Sequence, residues 1–185
     1  MSKLVVIFPG VGYTTDKPLL YFSRKLAGEA GFAECISVKY ESVNKENIRG
    51  NLKAMQETFE MFYVQVKEQL ADVDWNKYDD VLFISKSIGT IIATTYAYKE
   101  KLTRVRHILY TPLTFTYECP VRDAIAFIGT KDAWSEYSDV VSKSNEQGIP
   151  IEIYENCNHS LETDDAMENI DILKDVMDKT KEFIG

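Results

Sequence analysis

The sequence predicts an α/β fold, a three-layer α/β/α sandwich around a mostly parallel six-stranded sheet of strand order 2-1-3-4-5-6. Three observations lead there. Short apolar, β-rich runs alternate strictly with helical patterns, as they do when helices connect parallel strands. The first, third and fifth runs are apolar throughout, as expected of strands covered on both faces. The second and sixth alternate with polar residues, which puts them at the edges, and right-handed crossovers permit the resulting order.

The runs span residues 4–8, 35–40, 81–84, 107–110, 124–128 and 151–154. Most have the length and β-branched content of strands. After the first, Asp16 can cap a helix with Pro18 in its first turn, running to about residue 30, where Gly31 stops it. Leu52, Met55, Phe59, Phe62, Val66 and Leu70 keep a three-or-four spacing, which makes a long amphipathic helix. A third helix is expected from about Ser87 to about Lys101, and a fourth over roughly 135–147, ended by Gly148. The last carries Ile170, Leu173, Val176 and Phe183 on one face.

A chain of 185 residues reads as a single domain, 1–185. At this size roughly 70% of the unfolded surface is buried, enough for a core without staples. The net charge of −8 speaks against a nucleic-acid partner, which needs clustered Lys and Arg, and against an anionic membrane surface. Solubility explains it more simply. Cys35, Cys119 and Cys157 are odd in number and fit no metal spacing, so a reduced, intracellular protein is expected. The start, MSKLVVIFPG, does not read as a signal peptide, and no apolar stretch is long enough to span a bilayer. The expected location is therefore the cytoplasm. No H-E-x-x-H or similar pattern calls for a metal, and no cofactor is expected. The oligomeric state is not specified.

The strand order reverses between strands 1 and 3. Ligands of open α/β sheets bind outside the C-terminal strand ends at such a point. The loops there are residues 9–15 and 85–89. The second holds Ser85-Lys86-Ser87-Ile88-Gly89 between a strand and a helix. A sharp strand-to-helix turn that presents a nucleophile needs small residues two before and two after it, usually as G-x-S-x-G. Here Ser85 takes the first place and Gly89 the second. Serine is also a favoured helix N-cap, and the motif alone does not separate the two readings. Lys86 is expected to face solvent.

Of the two histidines, His107 begins a strand run and reads as a sheet-bottom or surface residue. His159 lies in the loop after strand 6, placed to reach across the sheet top. Asp132 lies in the loop after strand 5, where a solvated or helix-capping role is the ordinary alternative. Ser87, Asp132 and His159 thus follow three different strands at one sheet edge, in the chain order expected when they act together. A serine hydroxyl is a weak nucleophile. It needs a base within hydrogen-bond reach, and the base needs a third group to fix its tautomer.

Such chemistry also needs donors for an oxyanion. The backbone N–H of Ile88 is one candidate, and the loop after strand 1 supplies the other, Val11 first and Gly12 second. Gly10 and Tyr13 of that loop are candidates for substrate contact. Phe115, Tyr117 and Trp134 could wall an acyl pocket or simply pack. Residues 111–120 form too short a segment for a cap domain, which leaves an open site, or one covered only by that loop and residues 41–50.

The segments SKSIG, FIGTKDAW, NCNHSLE and FPGVGYT resemble the α/β-hydrolase superfamily, in family order and over nearly the whole chain. The closest resemblance is to small, capless bacterial members. It implies a minimal α/β-hydrolase fold without the usual antiparallel N-terminal strands, and a serine hydrolase acting on a small acyl substrate, an ester or thioester, with amides possible. Two departures bear on subfamily and substrate: Ser85 replaces the first glycine, and Phe8-Pro9-Gly10 stands where many members have His-Gly.

Two competing functions remain. A non-catalytic α/β domain would bind a ligand or protein in the same crevice, with the three side chains failing to meet. A nucleotide binder would use Gly10-x-Gly12, with Glu41 at the end of strand 2. Against the latter, the third glycine position is Thr15, and Glu41 lies about thirty residues on rather than about twenty.

Overall fold

A computed structural model describes residues 2–41 and 48–185. Six parallel strands form one sheet: β1 (Lys3–Phe8), β2 (Glu34–Ser37), β3 (Asp80–Lys86), β4 (Val105–Tyr110), β5 (Ala124–Gly129) and β6 (Ile151–Tyr154). Their order is β2-β1-β3-β4-β5-β6, as the alternation of buried and half-polar runs predicts. The helices are α1 (Pro18–Glu29), α2 (Leu52–Gln69), α3 (Ile88–Lys99), α4 (Tyr137–Glu146) and α5 (Ala166–Ile184).

Residues alternate along each strand between two cores. Leu4, Val6 and Phe8 of β1 and Val81 and Phe83 of β3 pack with Phe62 and Val66 of α2 and Ile88 and Ile92 of α3. Val5, Ile7, Leu82 and Ile84 pack on the other face with Leu19 and Leu20 of α1 and Val176 and Ile184 of α5. Beside the first core, Val140 of α4 covers Leu109, Ala126 and Ile128. Both faces of the central strands are therefore dry, which accounts for their unbroken apolar runs.

Three local expectations differ. Helix α1 begins at Pro18 with Lys17 before it, and no side chain caps it, so Asp16 is not the cap. Helices α2 and α5 do have side-chain caps, Asn51 and Asp165. Strand β2 ends at Ser37, short of residue 40. Beyond Val38, the backbone of Lys39 and Glu41 bonds to the Gln69 and Gln65 side chains of α2 instead of to a strand. His107 is not a surface residue: it pairs with Ala124, the first residue of β5, and its side chain is covered. It is buried edge-on to Phe83 at 5.5 Å, and its Nδ1 has no partner among the described residues. Among the described residues, no helix is long and apolar enough to cross a membrane.

Because all strands run parallel, the loops after β1, β3, β5 and β6 emerge at one edge. The candidate site sits there.

Candidate active site

Strand β3 ends at Lys86 and α3 begins at Ile88, so one residue makes the turn. Ser87 has φ 57° and ψ −127°, a conformation sparsely populated by side-chain-bearing residues. It makes no side-chain cap hydrogen bond, so the cap reading is not what the structure shows. The turn is held from outside. The Ser87 N–H donates to the Tyr110 carbonyl of β4 at 3.0 Å, and the Ser85 hydroxyl donates to the Ile108 carbonyl at 3.1 Å. Gly89 allows α3 to lie against the end of β1, since a Cβ there would overlap the Phe8 and Pro9 carbonyls.

Ser87 Oγ lies 2.7 Å from His159 Nε2, and His159 Nδ1 lies 2.7 Å from Asp132 Oδ2. The structure thus joins the three side chains in one hydrogen-bonded chain. The second carboxylate oxygen of Asp132 accepts the Trp134 N–H at 2.8 Å, which fixes the plane of the group. The Asp132 side chain is fully buried and that of His159 is 16% exposed. The imidazole is stacked by Trp134, ring centroids 5.4 Å apart. Burial, and next the Lys86 ammonium, hold the His159 pKa below its usual value, while Asp132 pulls it upward.

The His159 loop is built by its neighbours. Lys131 N–H donates to the Cys157 carbonyl at 2.9 Å, tying the loop after β5 to the loop after β6. Gly129 permits this approach. The buried Thr111 hydroxyl donates to the His159 carbonyl at 3.0 Å. Sequence reading missed Thr111. It follows strand 4 at the same edge, and that position is the one signal that could have drawn attention to it.

The loop after β1 makes a tight turn in which Gly10 and Tyr13 exchange two backbone hydrogen bonds of 3.3 Å. Gly12 has φ 75°, which suits glycine. Gly10 packs against Ser87: a Cβ on it would lie 3.1 Å from Ser87 Cβ. Among the described residues, the N–H groups of Val11, Gly12 and Ile88 donate to no other protein group. All three residues line a cavity of about 210 Å³ together with Ser87, His159 and Trp134. This turn does not open a helix directly, because α1 starts at Pro18, whereas a dinucleotide fingerprint needs the glycine turn to lead straight into its helix.

Tyr13 lines the same cavity, buried, its hydroxyl accepting the Leu19 N–H at 3.2 Å. Phe115 lines an adjoining pocket with Trp134, Ile48 and Met55. Tyr117 does not reach either. It is buried with Val121 and Val140 near α4, because the short turn Thr114–Glu118 directs it away from the sheet edge. Of the expected cover, residues 42–47 lie outside the described residues. Ile48 lines the cavity, and Arg49 Nε donates to the Ala133 carbonyl at 3.1 Å.

Lys86 departs most from expectation. It is 1% exposed rather than solvent-facing, and its side chain lines the cavity. Strand β3 keeps its register with β4 through Lys86, opposite Tyr110, so the side chain is directed inward by the pleat.

No protein-family model matches the chain, and no curated protein matches it in sequence. Its structure is similar to several solved ones. An α/β serine hydrolase homologue from Coxiella burnetii is 16% identical over 96% of this chain and 84% of its own, at a TM-score of 0.60. A serine hydrolase without a lid from Xanthomonas campestris is 12% identical over 98% and 82%, at 0.62. Est1E from Butyrivibrio proteoclasticus, with ferulic acid bound, is 13% identical over 98% and 87%, at 0.64.

Proposed function

We propose that this chain, which has the α/β-hydrolase fold, is a serine hydrolase cleaving a carboxylic ester or thioester through an acyl-enzyme on Ser87. The observation that carries the reading is the pair of 2.7 Å contacts from Ser87 Oγ to His159 Nε2 and from His159 Nδ1 to Asp132, on a serine held at positive φ. A non-catalytic domain has no need of that alignment.

The roles follow from the geometry. Neutral His159 accepts the Ser87 proton at Nε2 as Oγ attacks the acyl carbonyl. Asp132 holds the Nδ1–H, which leaves Nε2 free as acceptor, and stabilises the imidazolium that forms. The oxyanion takes hydrogen bonds from the Ile88 N–H and from Val11, with Gly12 beside it, each contributing about 3 kcal/mol. His159 then protonates the departing alcohol or thiol. Water, deprotonated by His159, attacks the acyl-enzyme, and the proton returns to Ser87 as the acid leaves. The reaction needs no cofactor.

A fluorophosphonate probe tests this. It is expected to label wild type and not Ser87→Ala. A p-nitrophenyl ester chain-length panel and then a thioester panel are expected to be turned over by wild type and not by His159→Ala. A well-folded wild type that neither labels nor turns over any member overturns the reading.

A further inference from the structure

Lys86 is buried beside Ser87, yet the proposed chemistry gives it no task. Its stem passes Gly10, where a Cβ would meet Lys86 Cγ at 3.6 Å. Its ammonium lies over the Tyr13 ring, 5.0 Å from the centroid. Among the described residues it has no hydrogen-bond acceptor and no ion pair. Asp132 and Glu162 act on it only from a distance, and both Asp132 oxygens are already engaged by His159 and Trp134. A buried ammonium without a partner is costly, and burial pushes its pKa down to about 7.

The surroundings have a matching sign. Lys17 lines the same cavity and also lies over Tyr13, at 5.8 Å. Among the described residues no carboxylate lines that cavity, in a chain whose net charge is −8. The apolar part of the wall comes from Ile48, Met55 and Trp134. The cavity therefore offers an apolar surface and a compact cation with no counter-ion among the described residues, next to the Ser87 hydroxyl.

We infer that Lys86 determines specificity, pairing with a carboxylate carried by the substrate near the scissile carbonyl, so that the substrate is an anionic ester or thioester with an apolar remainder. The inference rests on the serine-hydrolase reading for the word substrate. The bound carboxylate supplies the missing partner and favours the charged lysine, so binding near neutral pH takes up a proton.

The test uses matched esters. Mono-p-nitrophenyl adipate against p-nitrophenyl hexanoate places the carboxylate on the acyl chain. The hexanoyl ester of 3-carboxy-4-nitrophenol against that of 4-nitrophenol places it on the leaving group. Ser87→Ala is expected to bind one anionic ester at least about tenfold tighter than its neutral match, with proton uptake seen by calorimetry in two buffers. Adding Lys86→Met is expected to remove both the preference and the uptake, and Lys86→Arg to retain much of the preference. Lys86→Gln serves as a second neutral variant, with melting curves confirming folding. In the active enzyme the same preference is read as a ratio of kcat/KM values, which cancels any effect on the serine and histidine. Equal binding within both pairs, or a preference that survives both neutral variants, overturns the inference. Fluorophosphonate labelling separates the outcomes. Labelling without anion preference leaves the hydrolase reading standing, and preference without labelling or turnover removes hydrolysis but keeps Lys86 as an anion site.

Discussion

Gly129 stands so close to Cys157 that a Cβ on it would overlap the Cys157 carbonyl. That carbonyl also accepts the Lys131 N–H, so the two loops are fastened together one residue before Asp132 and two residues before His159. The two loops so joined carry the His159 and Asp132 side chains that meet at 2.7 Å.

Gly129→Ala is therefore expected to destabilise the fold by about 2–3 kcal/mol and to lower kcat/KM about a hundredfold through a displaced His159. Gly28→Ala is the control. Gly28 is exposed in α1 with open space around it, and the substitution is expected to stabilise by about 0.5–1 kcal/mol. Denaturant unfolding and ester kinetics on both variants check this pair. A Gly129→Ala enzyme with wild-type kinetics contradicts it.

Ser87→Ala and His159→Ala are expected to lower kcat by at least about 10⁴-fold, and Asp132→Asn by about 10³–10⁴-fold, with melting temperatures close to wild type for Ser87→Ala. Combining Ser87→Ala with His159→Ala should add little, because the two act as a unit. Additive losses in the double variant would show that they act separately.

The pH dependence of hydrolysis follows from His159. In the proposed mechanism its neutral form is the base, so kcat/KM for a neutral ester rises with pH through the histidine pKa and is flat above it. Burial, Lys86 and Arg49 depress that pKa to about 4, against the pull of Asp132. With a neutral ester the acid limb is expected well below the usual histidine range, with activity level from about pH 6 upward. Lys86→Met removes a cation facing the imidazole and should move the limb to higher pH. A wild-type midpoint at or above 7 contradicts the assignment.

Stability carries a second pH signature. His107 is fully buried, and burial lowers its pKa from 6.5 to about 4. The unfolded chain therefore binds a proton that the native state refuses, and stability falls as pH drops below 6.5. His107 should account for a loss of about 1–2 kcal/mol between pH 6.5 and 5. His107→Leu, which leaves no imidazole in the core, is expected to show a shallower decline over that window. Urea unfolding at several pH values measures it, and parallel declines in the two proteins would exclude His107 as the source.

Much of the molecule was legible in its sequence. The apolar runs at residues 4–8, 81–84 and 124–128 marked strands covered on both faces, and the half-polar runs marked the edges, because strand burial imprints a period on the chain. Ser87, Asp132 and His159 could be placed at one edge because parallel topology sends every strand end to the same side. Helix starts were less legible. Asp16 has the chemistry of a cap, but Pro18 opens α1 without one.

The strand order, the sheet edge where the candidate site lies and the three residues that meet there could all be read from the chain alone. Only the tertiary structure decided that Ser87 adopts positive φ instead of capping α3, that Tyr117 packs under α4 away from the cavity, and that Lys86 lies inside it. The reason is physical. Periodic burial is written locally, residue by residue, whereas the surroundings of one side chain at a turn depend on which distant segments close over it. For Lys86 those segments are Gly10 and Tyr13, more than seventy residues earlier in the chain.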